Sequence, residues 1–280
     1  MRLGTGYIET GTSGSAAREF AQALDRAGFD FVTTSGHVLS AAPDRYEGRP
    51  NALYVGPFRD PFVLFSHMAA VTERLRFRTS ILILPAFPVA LVARQVAELS
   101  ELSGGRFELG VGISWHEAEY AALGAEVRTR GRRLAEQIEL LRRFWSEPFV
   151  EFEGRFHSIE HVGLNRLPEH PIPIWIGCGA QERLLRRVAR LADGWLPFGP
   201  VLESWPTLRG YLEEAGRDMS AFGVGGRVVA GDGGPEAWVA EARRQRELGA
   251  TDLSISAPGM GPAEALARLI EAREVLAREL

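Results

Sequence analysis

Lysine is missing from this chain. All 32 basic residues among its 280 are arginines, which excludes Schiff-base chemistry and a lysine nucleophile. Cysteine occurs once, at Cys178, so no disulfide can close within the chain, and the composition is compatible with a reducing cytoplasm. No Gly-x-Ser-x-Gly elbow is present and the six histidines are scattered, which argues against serine hydrolases and metal-dependent hydrolases alike. The most apolar run, Ile81 to Ala93, is broken by Pro85 and Pro88 and is too short to cross a bilayer. The opening MRLGTGYIET reads as a strand and lacks the apolar core of a signal peptide. A basic excess is absent too: a net charge of -4 and a pI near 5.9 offer no surface for nucleic acid or an anionic membrane. The expectation is a soluble cytoplasmic protein that acts on a small molecule.

With 45% hydrophobic and 24% charged residues, the chain can bury a large core, and one domain over residues 1–280 is expected. Its organising stretch runs from Leu75 to His116. Arg76 to Leu84 is aliphatic and β-branched, and Pro85 and Pro88 stop it. Val89, Val92, Val96, Leu99 and Leu102 then recur at helical spacing, Gly104 and Gly105 end the helix, and Phe107 to Ile113 restarts a strand. That is a βαβ unit with a parallel crossover.

The same alternation extends in both directions. Leu3 to Thr10 is a first strand, followed by a loop from Gly11 to Gly14, a helix ending at Gly28, a strand from Phe29 to Thr34 and a long loop from Ser35 to Asp60. Pro61 to Glu73 is a helix. Beyond the fourth strand come helices over His116 to Leu123 and Arg128 to Ser146, then a hairpin of Phe149 to Phe152 with Arg155 to Ser158. Strands at Ile174 to Gly177, Gly194 to Phe198, Val224 to Ala230 and Asp252 to Ser256 alternate with helices to the end. About eight strands and eight helices at this length predict a (β/α)8 TIM barrel with insertions after strands 2 and 4, an open doubly wound sheet being the rival.

Active sites of such barrels lie at the C-terminal strand ends. Here those positions are Glu9 and Thr10, Ser35 to His37, Leu84, Gly112 to His116, Gly177 to Gly179, Phe198, Gly231 with Asp232, and Ser256. Glycine, aromatic and small polar types dominate, a lining suited to a flat, mostly apolar ring. Gly110, Gly112 and Ser114 alternate along strand four and open one side of it to close approach, without making a Rossmann fingerprint.

The stretches TSILILP, PVALVARQVAELSELSGGR and ELGVGISW, with GFDFVTTSGH before them and IPIWIGCG and RLADGWLPFG after, resemble the bacterial luciferase-like superfamily, and within it the short F420-dependent class. The resemblance implies coenzyme F420 as cofactor, with FMN as the alternative, a separate F420 or flavin reductase as partner, and a homodimer. His37 would be the general acid or base, although the class carries Asp-His where this chain has Gly36 and so lacks the acidic partner. Thr79, Ser80 and Ile81 would form a bulge under the ring, with a cis bond joining Ser80 to Ile81. Trp115 would wall the substrate side, or else be a core tryptophan. Gly112 and Ser114 would border the ring slot, with Ser114 replacing a glycine common in relatives. Gly177, Cys178 and Gly179 would cradle the cofactor phosphate, in competition with Gly231 to Gly234, the usual barrel position. Cys178 itself reads as a small buried filler.

Three functions fit these residues: an F420-dependent oxidoreductase moving hydride to or from a small organic substrate, an FMN-dependent monooxygenase fed with reduced flavin, and a flavin-binding barrel without turnover. The substrate would be chosen by the loop from Ser35 to Asp60 and the insertion from Phe149 to Pro171.

Overall fold

The structure, a computed structural model, describes residues 1–9, 13–40, 42, 58–199 and 201–280. Thr10, the loop start at Gly11 and most of the long loop before Asp60, on which substrate choice was expected to rest, lie outside the described residues. The elements are β1 Arg2–Gly6, α1 Gly14–Ala27, β2 Phe31–Gly36, α2 Pro61–Ala69, β3 Arg76–Leu82, α3 Val89–Leu102 and β4 Phe107–Val111. Then follow α4 Glu117–Ala122, α5 Arg130–Ser146, β5 Val150–Glu153, β6 Ser158–Val162, β7 Ile174–Cys178 and α6 Glu182–Leu191. The chain ends with β8 Gly194–Pro197, α7 Trp205–Glu214, β9 Gly223–Val229, α8 Gly234–Glu247, β10 Asp252–Ser256 and α9 Pro262–Glu279. Eight parallel strands close in the order β1-β10-β9-β8-β7-β4-β3-β2, and β5 pairs with β6 as a separate antiparallel hairpin. The (β/α)8 barrel is therefore the fold, and the open sheet is excluded.

Local chemistry explains the element ends. Ser13 caps α1 through its side chain, and Gly28 closes it at φ 77°, a left-handed conformation that glycine adopts without a Cβ clash. Asp60 caps α2, with Pro61 at the first helical position. The predicted stripe of α3 is buried at Val89, Val92, Val96 and Leu99, but Leu102 is 68% exposed. That residue sits in the last turn, past the core contact, so helical spacing alone overextends the buried face. The first strand is shorter than expected, ending at Gly6, and the second runs later, to Gly36. The hairpin's second strand starts only at Ser158. Arg155 and Phe156 donate their N–H groups to the Glu136 carboxylate instead of to a strand partner.

Candidate functional site

Strand alternation decides which side chains face the barrel lumen. Val224 and Val228 of β9 are fully buried under the helices, so Gly225, Arg227 and Val229 point inward. Their β10 partners in register are Asp252, Ser254 and Ser256, between which Leu253 and Ile255 are buried outward. On β1 the inward positions are Arg2, Gly4 and Gly6. Alanine at Gly4 would place its Cβ 2.3 Å from the Phe31 ring, so this glycine admits Phe31 into the lumen. The floor is an ion network. Arg78, 1% exposed, donates Nε to Glu108 at 2.7 Å and Nη2 to Asp252. Arg2 bridges the same two carboxylates at 2.5 and 2.6 Å, Arg76 adds a bond to Glu108 at 3.0 Å, and the Arg78 guanidinium lies 3.7 Å from the Trp175 ring centre. Above it opens a cavity of about 740 Å³, lined by Gly6, Thr33, Ser80, Arg227, Ser254 and Ser256 among others.

At the C-terminal rim, His37 follows β2 and its Nδ1 lies 2.9 Å from Oε2 of Glu119, a fully buried carboxylate in the first turn of α4. The other oxygen of Glu119 accepts the N–H groups of Val38 at 2.5 Å and Leu39 at 3.3 Å. Burial pushes this carboxyl up, yet the bonds from His37 and the two N–H groups outweigh it and hold it below the ordinary range. The expectation that His37 lacks an acidic partner is therefore corrected. Its partner comes from α4 and not from the preceding residue, Gly36. With an ionised Glu119 accepting at Nδ1, that nitrogen carries the proton and Nε2 is the basic one in the neutral ring. His116 caps α4 by accepting the Glu119 N–H at 2.9 Å, and its ring is 6.3 Å from that of His37. Trp115, 39% exposed, stands 6.3 Å from His37 and 5.0 Å from His116, and Phe58 closes the cluster at 6.5 Å from His37.

The close approach expected at the glycines of strand four is present. A Cβ at Gly110 would lie 1.8 Å from the Thr79 carbonyl oxygen, and one at Gly112 would lie 2.8 Å from Ile81 Cδ1. A Cβ at Gly177 would lie 2.7 Å from Ile81 Cγ2. The close approach is thus made by β3 itself: its bulge presses Thr79 and Ile81 against the neighbouring strands, and the peptide bond between Ser80 and Ile81 is cis, at the position the resemblance implied. Thr79 is fully buried, its hydroxyl donating to the Gly110 carbonyl at 2.7 Å and accepting the Gly110 N–H at 2.9 Å. Ser114 lies beyond the strand, which ends at Val111, and has φ 46°, a left-handed conformation that glycine would hold at lower cost. Its hydroxyl accepts the His116 N–H at 3.3 Å.

Gly177, Cys178 and Gly179 pass from the end of β7 toward α6, whose cap Gln181 makes no side-chain hydrogen bond. Nearby, burial first and then the charges of Arg183 and Arg190 hold the Arg187 guanidinium below its ordinary pKa, and no hydrogen bond or ion pair compensates it among the described residues. At the rival position, the Gly231 carbonyl accepts from Trp238 at 3.2 Å and Arg268 at 3.4 Å. Burial pushes the Cys178 thiol up to about 11. Iodoacetamide at pH 7.5 should accordingly label the native protein slower than a free cysteine by roughly a hundredfold or more. Intact-mass kinetics will check this, and labelling at the rate of free cysteine would show that burial does not govern the thiol. Glu9, another rim position, is engaged by Arg59 at 2.9 and 3.0 Å.

Sequence reading missed Glu119, Arg187, Arg227 and the floor network. Only Glu119 left a local signal, an acid in the first turn of a helix that opens directly after a rim strand.

The sequence profile of the luciferase-like monooxygenase family matches residues 2–278. An uncharacterized protein of Mycobacterium tuberculosis (strain ATCC 25618 / H37Rv) is 34% identical over 259 residues, 89% of this chain and 87% of that protein. The F420-dependent glucose-6-phosphate dehydrogenase of Amycolatopsis mediterranei is 32% identical over 185 residues, 64% of this chain and 51% of that enzyme. Among solved structures, an F420-dependent secondary alcohol dehydrogenase in complex with an F420-acetone adduct superposes with a TM-score of 0.79, at 16% identity over 98% of both chains. The oxygenating constituent of 3,6-diketocamphane monooxygenase of Pseudomonas putida, in complex with FMN, gives 0.73 at 16% identity over 100% of this chain and 97% of that one. These two likenesses concern the fold.

Proposed function

The chain belongs to the luciferase-like monooxygenase family, and from that premise we propose that it is an F420-dependent oxidoreductase, one barrel domain that moves a hydride to or from a small organic substrate. The observation that carries this reading is the His37–Glu119 pair at the C-terminal rim. Oxidising an alcohol releases a hydride and a proton, and a histidine oriented by a buried carboxylate is equipped to take the proton. The relative of Amycolatopsis mediterranei, named for F420, favours the deazaflavin over FMN.

The lumen adjoins this rim through Ser80, which lines its cavity of about 740 Å³, a volume within the ~300–1,000 Å³ typical of small-molecule sites. Ser80 and Ile81 would face the ring, with Thr79, Gly112 and Gly177 keeping Ile81 in place and Ser114 and Trp115 bordering the slot. Gly177, Cys178 and Gly179 with Arg187 would hold the phosphate, which supplies the anion that this desolvated guanidinium lacks. The bound deazaflavin would supply two-electron hydride chemistry. His37 Nε2 would take the substrate hydroxyl proton while Glu119 stabilises the resulting imidazolium through Nδ1–H.

Absorbance titration of the purified protein with F420 and with FMN tests the cofactor. Saturable binding of F420 and not FMN is expected, and the reverse result would replace this reading with a flavin monooxygenase supplied by a separate reductase. The His37→Ala variant should reduce F420 about a hundredfold more slowly with a panel of small alcohols that includes carboxylate- and phosphate-bearing ones, while its F420 affinity stays unchanged. An unchanged rate would remove His37 from the mechanism.

A further inference from the structure

We propose that the half of the lumen formed by β9 and β10 is a recognition site for the oxyanion of the substrate, a carboxylate or a phosphate monoester, with Arg227 as the residue that selects it. The inference rests on the oxidoreductase reading for the reaction it serves, and on the lumen's own chemistry for the binding.

Arg227 occupies an unusual place. It is the middle inward position of β9, paired in register with Ser254, yet it is exposed, so the lumen around it is open to water. The side chains that could neutralise it are engaged elsewhere. Asp252 and Glu108 below are shared among Arg2, Arg76 and Arg78. Glu241, on the helix side of the same cavity, is bound by Arg244 at 2.9 and 3.0 Å and by Gln245, and Glu203 faces Arg244 at 3.9 Å. Among the described residues no carboxylate pairs with Arg227. The floor network carries three arginines against two acids, which adds a further positive charge below it.

Its neighbours complete the donor set. The hydroxyls of Ser254 and Ser256 on β10 line the cavity and make no hydrogen bond to another described residue. A guanidinium with two donors in a fork and hydroxyls at its side matches the planar or tetrahedral oxygens of a carboxylate or phosphate. Leu196, Phe31 and Val229 line the same space with apolar surface. The lumen therefore has a polar end for an anion and an apolar wall for an organic body, and a neutral alcohol would leave the charge at Arg227 unanswered.

The test is calorimetric titration of the purified protein, at fixed ionic strength, with phenyl phosphate, benzoate and benzyl alcohol, repeated on Arg227→Gln and Arg227→Lys. At least one of the two anions should bind saturably and benzyl alcohol should not. Affinity should fall about tenfold or more in Arg227→Gln and be partly recovered in Arg227→Lys. Whichever anion binds tighter identifies the headgroup. Thermal unfolding midpoints of both variants should match the parent, because the Arg227 side chain has no hydrogen-bond or ion-pair partner among the described residues. Equal affinity in Arg227→Gln, or no saturable binding of either anion, would overturn the proposal. So would a loss of F420 affinity in Arg227→Gln with anion affinity unchanged, since Arg227 would then serve the cofactor. Arg227-dependent anion binding in a protein that binds no F420 would retain this site and remove the oxidoreductase reading instead.

Discussion

Replacing Gly110 with alanine is expected to destabilise the protein by about 3 kcal/mol or more, the upper end of overpacking costs, and to leave little folded material at 37 °C. The added Cβ would stand 1.8 Å from the Thr79 carbonyl oxygen and 3.0 Å from its carbon. Both are backbone atoms, so no side-chain rotation relieves the clash. The pairing of β3 with β4 advances from Arg78 opposite Glu108 to Leu82 opposite Val111, which places one extra residue on β3. Thr79 spans the disturbed ladder with its hydroxyl, bonding both the N–H and the C=O of Gly110. An alanine there must separate the two strands, break that clasp and displace Ile81 from between Gly112 and Gly177. Gly210 in α7 provides the contrast, because nothing lies within 4 Å of a Cβ built on it. Gly210→Ala should stabilise by about 0.5–1 kcal/mol through helix propensity. Urea unfolding of the two variants measures both. A Gly110→Ala protein within about 1 kcal/mol of the parent would show that the bulge yields easily and does not position the site.

What could be read from the chain differs sharply between frame and site, for a physical reason. Periodicity and turn chemistry are local, so Gly28, Pro61, the α3 stripe up to Leu99 and the strand at Asp252–Ser256 were legible, and the count of alternating strands and helices pointed to a closed barrel with an open sheet as its rival. Pairings across the ring are not local. Glu119 lies 82 positions from His37, and a search for an acid beside the histidine in sequence finds only Gly36. Arg2 and Asp252 are 250 positions apart and meet because β1 closes on β10. Gly110 and Gly112 signalled a close approach, but not that the approaching group would be Thr79 or Ile81 of the same barrel, and Gly177, read as part of a phosphate cradle, gave no sign of its contact with Ile81. Arg227 was hidden by its context. Strand β9, GVGGRVV, is covered by helices on one side and open to the lumen on the other, so its pattern does not announce which residues face inward.

The floor network yields the other large effect. Glu108→Ala should cost about 3–5 kcal/mol, since it removes one partner from a buried set and leaves Arg78, 1% exposed, with Asp252 alone. Protons should reproduce part of this loss. Burial raises the Glu108 carboxyl, but the charges of Arg78 and Arg2 overwhelm it and bring the group from an ordinary 4.5 down to about 2. Because the folded value lies below the unfolded one, the stabilisation is complete above pH 4.5 and disappears as pH falls toward 2. A gap of that size corresponds to roughly 3 kcal/mol. Urea midpoints of the parent should fall steeply across this window. Glu108→Gln, which cannot ionise, should start lower at neutral pH and lose that portion of the slope, so the two curves converge in acid. Parallel curves would mean that other carboxylates carry the acid sensitivity and that the Arg78 charge is balanced mainly by Asp252.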